Sequence, residues 1–108
     1  MREGAVRFRH AVRVFALFNG SAAIVRSVEQ FGRLDTLIAN AGYGLAKPVV
    51  ETSPEEMQRI FAVNVLGTHN CVRPAVAVMR RQDVRDGWRG QILITSSGAA
   101  RRGLPTGI

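Results

Sequence analysis

Apolar positions along this chain change their period several times, and each change marks an element. Residues 12–18, V-R-V-F-A-L-F, are rich in β-branched and aromatic side chains and end at Asn19-Gly20, a turn dipeptide; they predict a first strand. Ser21 then stands where a helix cap is expected, before Ala22, Ile24, Val25 and Val28, with Phe31 and the stop residue Gly32 closing the segment. Residues 34–39, L-D-T-L-I-A, form a short bounded apolar run and predict a second, mostly buried strand. A Gly- and Pro-containing loop occupies residues 42–48.

The strongest helix signal follows. Ser53-Pro54-Glu55-Glu56 places a capping serine, a proline at the first helical position and a glutamate three residues after the cap, with both acids near the positive end of the helix dipole. Met57, Phe61, Val65, Thr68, Val72, Val76 and Met79 recur at steps of three and four, so one long helix is expected over residues 54–81. Pro74 should kink it, because it removes a hydrogen bond to the carbonyl four residues back. Residues 83–90 read as a polar turn containing Trp88, and residues 91–95, Q-I-L-I-T, as a third strand.

Strand, helix, strand, helix, strand, with crossovers long enough for parallel pairing, defines an α/β fold: a partial Rossmann arrangement, a slice of a doubly wound parallel sheet with about three strands and two helices. The 108 residues make one partial domain, in which residues 1–11 carry no clear pattern. Its last residue, Ile108, falls in a loop only eleven positions after Ser97, so the domain is expected to be truncated.

Charge changes the picture little. Lys and Arg number 15 against 8 acids, a net charge of +7, and every basic residue except Lys47 is arginine. They are spread from Arg2 to Arg102; only Arg80, Arg81, Arg85 and Arg89 gather, and Asp83 and Asp86 interrupt them. Phosphate recognition depends on local charge density, so no nucleic-acid partner is expected. No apolar run approaches the roughly 20 residues that span a bilayer, so no membrane partner is expected either. The single cysteine, Cys71, excludes an internal disulfide and fits a reducing, cytoplasmic location. With His10 and His69 as the only other soft ligands, no metal site is expected.

In a doubly wound sheet, ligands sit outside the carboxyl ends of the strands. Two polar clusters fall at such ends: Asn40-Ala41-Gly42 after the second strand, and Ser96-Ser97-Gly98 after the third. Asn64 lies within the long helix, on or beside its apolar face, where asparagine is a poor helix former. Any one of these is ordinary; their combination on these elements is not.

That combination resembles the short-chain dehydrogenase/reductase family. The resemblance is carried by F-G-R-L-D-T-L-I-A-N-A-G, then E-T-S-P-E-E-M-Q-R-I-F-A-V-N-V-L-G-T, then G-Q-I-L-I-T-S-S-G-A-A followed by G-L-P. It implies NAD or NADP as cofactor, a small alcohol or carbonyl compound as substrate, and hydride transfer between the two. By the same resemblance Asn40, Ala41 and Gly42 lie against the cofactor, Asn64 is the helix asparagine that holds a water for proton relay, and Ser97 bonds the substrate oxygen. The long helix is similar to one that pairs across homo-oligomers in the family.

Two family features are missing from the sequence. Nothing before Val12 matches the Gly-rich turn that holds the cofactor pyrophosphate, and no Tyr-x-x-x-Lys follows Ser97. Tyr43 and Lys47 have that spacing but lie in the loop after the second strand, and are not expected to be the catalytic pair. The chain alone is therefore expected to be inactive. The alternative from another class is a non-catalytic remnant or interaction module that pairs through exposed sheet edges.

Overall fold

A computed structural model describes residues 20–103 of the chain. The first expected strand, residues 12–18, lies outside the described residues, so the described sheet has two strands. These are β1, Thr36–Ala39, and β2, Gln91–Ile94, paired in parallel with Thr36 opposite Gln91 and Ala39 opposite Ile94. Backbone bonds from Gln91 N to Asp35 O and from Thr95 N to Ala39 O extend the ladder at both ends. Parallel pairing needs a long crossover, which the intervening helix supplies.

The first helix, α1 (Gly20–Phe31), begins earlier than the sequence suggests: Gly20 is already helical, and Ser21 sits inside the first turn rather than capping it. Its end is as expected. Gly32 takes a left-handed φ of 80° and its N–H bonds the Val28 carbonyl, the conformation a side-chain-free residue adopts without strain.

The long helix starts with the full capping box. Ser53 accepts from Glu56 N, Glu56 accepts from Ser53 N, and Pro54 opens α2 (Pro54–Phe61). The helix then widens: Ala62–Gly67 is a π-type turn, after which α3 (Thr68–Met79) resumes regular α geometry and runs unbroken through Pro74. The expected break in regularity thus lies seven to twelve residues before the proline. Extra residues in a wide turn rotate everything beyond them, so the stripe counted on a uniform period does not face one way. The buried positions are Ile60, Gly67, Ala75 and Met79, whereas Phe61 and Val65 are exposed.

α1 and α3 run side by side in the same direction. Gly20 meets the Asn70 carbonyl and Cys71 at one end, and Val28 and Gly32 share a cleft with Ala77, Val78, Arg81 and Gln82 at the other. A Cβ at Gly20 would come 2.5 Å from the Asn70 carbonyl oxygen, so only glycine allows this approach. That carbonyl is also the one Pro74 cannot serve, having no N–H.

α3 packs on one face of β1. On the other face, the cross-strand neighbours Ile38 and Leu93 remain about half exposed. The connection from α3 into β2, residues 80–90, contains a tight two-residue turn. Arg85 and Trp88 exchange backbone bonds around Asp86 and Gly87, both at positive φ, as Asp-Gly turns of this kind require. No described helix is long and apolar enough to cross a membrane.

Candidate functional site

Both polar clusters sit at the carboxyl ends of their strands, and one hydrogen bond joins them. The Thr95 hydroxyl donates to Asn40 Oδ1 at 2.7 Å, tying the residue after β2 to the residue after β1. Ser96 and Ser97 follow directly. Ser97 is extended and caps the short 3-10 turn Gly98–Ala100, its Oγ accepting from Ala99 N at 3.2 Å. Because that contact uses a lone pair, the hydroxyl proton is kept for donation to another oxygen. Asn40, Ala41, Gly42 and Ser97 are all exposed along this edge.

Asn64 reaches the same edge from the helix. Its Oδ1 accepts from Tyr43 N at 3.0 Å and its Nδ2 donates to Tyr43 O at 2.8 Å, so one amide holds both backbone groups of one loop residue. Gly42 lies under this clamp, since a Cβ there would be 3.2 Å from Asn64 Oδ1. The Asn64 backbone carbonyl is engaged separately, by the Thr68 hydroxyl at 2.9 Å. Asn64 and Ser97 therefore lie on one edge, although no hydrogen bond joins them among the described residues.

Tyr43 and Lys47 have other duties. Lys47 Nζ contacts both carboxylate oxygens of Glu56, at 2.9 and 3.0 Å, pinning the loop to the start of α2. The Ser53 backbone N–H, first, and then Lys47 hold the Glu56 carboxyl below its ordinary pKa. The Tyr43 ring lines a small open cleft of about 250 Å³ with Leu45, Glu56 and Arg59.

Sequence reading missed Thr95, Thr68 and Gln82. Gln82 mirrors Asn64 at the opposite end of β1: its Oε1 accepts from Leu34 N at 2.6 Å and its Nε2 donates to Leu34 O at 2.9 Å. The same Nε2 reaches Arg89 O at 2.7 Å, and Arg89 Nη1 returns a bond to Gln82 O. A usable signal was present. Residues 64 and 82 are eighteen apart, about five turns at a uniform period, so two carboxamides on the segment read as one helix could be expected to grip one strand, although the wide turn and the end of α3 at Met79 alter the actual register.

This edge defines a class: a parallel α/β layer whose polar residues converge at the carboxyl ends of adjacent strands. The chain belongs to the short-chain dehydrogenase family, whose model matches residues 14–108. It is 37% identical over 82 residues to a short-chain dehydrogenase/reductase of Armillaria gallica, covering 76% of this chain and 30% of that protein. Among solved structures it is similar to NAD+-bound xylitol dehydrogenase, with a TM-score of 0.72 and 27% identity over 84% of this chain and 34% of the other. It is also similar to ElxO with NADP bound, with a TM-score of 0.70 and 28% identity over 88% of this chain and 37% of the other. The chain spans about a third of the length of these relatives.

Proposed function

We propose that this chain is the substrate-oxygen side of an NAD(P)-dependent oxidoreductase that moves hydride between a nicotinamide and a small alcohol or carbonyl compound, in the cytoplasm. The observation carrying this reading is the Thr95–Asn40 bond, which brings Asn40-Ala41-Gly42 and Ser97 to one edge in a chain of this family. The similar structures with NAD+ and with NADP support either cofactor.

The described residues fit part of such a cofactor. Exposed Ala41 and Gly42 have little or no side chain, leaving backbone open to a flat ligand at the strand end. The bound cofactor would supply or accept the hydride. The chain's own part is electrostatic: as a carbonyl oxygen gains negative charge, the Ser97 hydroxyl proton donates to it. Asn64 acts less directly, fixing Tyr43 and the loop beside that position. Proton delivery needs an acid of lowered pKa, and the one tyrosine of this sequence, Tyr43, is not assigned that task. Exposed Phe61, Val65 and Leu66 on the outer side of the long helix support self-association of the enzyme.

The exposed Ile38–Leu93 pair favours a second reading, an interaction module that buries this sheet face against another polypeptide. One experiment separates the two. The gene is resequenced through its flanks and its longest product assayed for NAD(P)H-dependent carbonyl reduction. A Gly-rich turn upstream, Tyr-x-x-x-Lys downstream and turnover support the enzyme; intact flanks without them leave the module.

A further inference from the structure

One turn of the long helix has reassigned its backbone partners. In a regular α-helix the Asn64 carbonyl would accept from the N–H of Thr68, four residues on. Here the Thr68 N–H bonds the Val65 carbonyl instead, at the end of the wide turn Ala62–Gly67. The Asn64 carbonyl takes the Thr68 hydroxyl at 2.9 Å in its place. A side-chain oxygen has replaced a backbone nitrogen as donor to the same acceptor.

The substitution has a geometric consequence. The Thr68 N–H is held by the Val65 carbonyl, and the hydroxyl ties the Asn64 carbonyl to the first residue of α3 across the wide turn. Reverting to α geometry would change the rotation of residues before the turn relative to α3 by about 100°, the step of one residue. Asn64 lies within the turn itself, and the amide bonds to Tyr43 N and O need both atoms aimed at one backbone. A rotation of that size removes them from reach. Hydroxyls that bond back to a carbonyl four residues earlier bend helices, and Thr68 makes that bond at the wide turn.

We propose that Thr68 is a positioning residue for Asn64: by occupying the Asn64 carbonyl with its hydroxyl, it holds the helix in the wide turn and keeps the Asn64 amide clamped on Tyr43. Its importance for turnover rests on the oxidoreductase reading; its effect on the clamp does not.

The test compares Thr68→Val, which keeps the side-chain shape and removes the donor, with Thr68→Ser, which keeps the hydroxyl. Amide hydrogen exchange is read at Tyr43, held by Asn64, and at Leu34, held by Gln82 at the far end of β1. The expected result is a loss of Tyr43 protection of about tenfold in Thr68→Val, little change at Leu34, and recovery in Thr68→Ser. Unchanged Tyr43 protection in Thr68→Val overturns the proposal, as does an equal loss at both residues without recovery in Thr68→Ser.

A measurement on the unmodified protein guards against a valine variant that fails to fold. A slowly exchanging Thr68 hydroxyl proton with scalar coupling to the Asn64 carbonyl carbon supports the proposal, and a freely exchanging one sinks it. Oxidation of NAD(P)H by carbonyl compounds is assayed in parallel. An altered clamp beside no turnover in the longest product of the resequenced gene refutes the redox reading alone; an unaltered clamp in a product that turns over refutes the Thr68 role alone.

Discussion

The side-chain amide of Asn64 and the backbone of Tyr43 exchange two hydrogen bonds, 3.0 and 2.8 Å long, across twenty-one residues of sequence. Asn64→Ala removes both and should cost about 1–2 kcal/mol at the usual net value per bond. Asn64→Asp should be no better, because a carboxylate can accept from Tyr43 N but meets Tyr43 O with a second acceptor. Chemical denaturation of the two variants checks this. An aspartate variant as stable as the parent would mean the donor half of the clamp contributes nothing.

Gln82 performs the same task at the other end of β1, and the two clamps together fix the long helix antiparallel to the strand. Nine residues separate Leu34 from Tyr43 and eighteen separate Gln82 from Asn64. At about 3.3 Å per strand residue and 1.5 Å per helix residue these spans are about 30 and 27 Å, so strand and helix match in length. Gln82→Ala loses bonds to Leu34 and Arg89 and should cost about 1–3 kcal/mol. Sites this far apart act independently. The double variant with Asn64→Ala should equal the sum of the singles to within about 0.5 kcal/mol, and a larger deviation would show that the clamps are coupled through the helix.

How far these features could be read from sequence depends on whether a local cause produced them. The Ser53 cap and the Gly32 stop follow from chemistry within four residues and are where the sequence puts them, and the Asp86-Gly87 turn falls inside the polar segment read over residues 83–90. The placement of Asn40 and Ser97 at strand ends follows from the order of elements alone. The wide turn at Ala62–Gly67 does not, since A-V-N-V-L-G carries no signal a period count would register; Pro74 drew the expectation of irregularity to the wrong turn. The partners of Asn64, Thr95 and Gln82 are tertiary, and only a matched count of strand and helix rises could have hinted at one of them.

Stability should fall with acid in a way that depends on Glu56. Its carboxylate accepts from Ser53 N and from Lys47, which lowers its folded pKa below the unfolded value. A group of that kind binds protons more readily when unfolded, so its contribution is present above the ordinary glutamate value and is lost as pH falls through the lowered folded one. Glu56→Gln should flatten the acid limb of a stability-against-pH curve, and identical limbs in the two proteins would remove Glu56 as its cause. Ser53→Ala, which deletes the cap itself, should cost about 1 kcal/mol at neutral pH.

Gly20 makes the contact between α1 and α3 uniquely sensitive to a single methyl group. A Cβ there would lie 2.5 Å from the Asn70 carbonyl oxygen and 2.8 Å from Cys71 Sγ, and the first obstacle is backbone, which cannot rotate aside. Gly20→Ala raises helix propensity by up to about 1 kcal/mol in the first turn, while overpacking costs about 1–3 kcal/mol. The clash should win, destabilising the protein and exposing Cys71 to thiol reagents. Faster labelling of Cys71 with a disulfide reagent in Gly20→Ala checks the mechanism; a stabilised variant with unchanged labelling would show that propensity prevails.

Ser97 should separate function from stability more cleanly than any other residue at this edge. It is exposed, and its hydroxyl accepts one hydrogen bond, from Ala99 N, within its own turn. Ser97→Ala should therefore shift stability by no more than about 0.5 kcal/mol, as surface substitutions usually do. On the proposed role of Ser97 as donor to the substrate oxygen, the same substitution should lower kcat by about 100- to 1000-fold in the full-length enzyme, with cofactor affinity nearly unchanged. Steady-state kinetics together with a cofactor titration read both quantities. A variant that keeps its kcat would move the oxyanion donor elsewhere on the edge, whereas one that loses cofactor binding as well would recast Ser97 as a support for the strand end and not a group that touches the reacting oxygen.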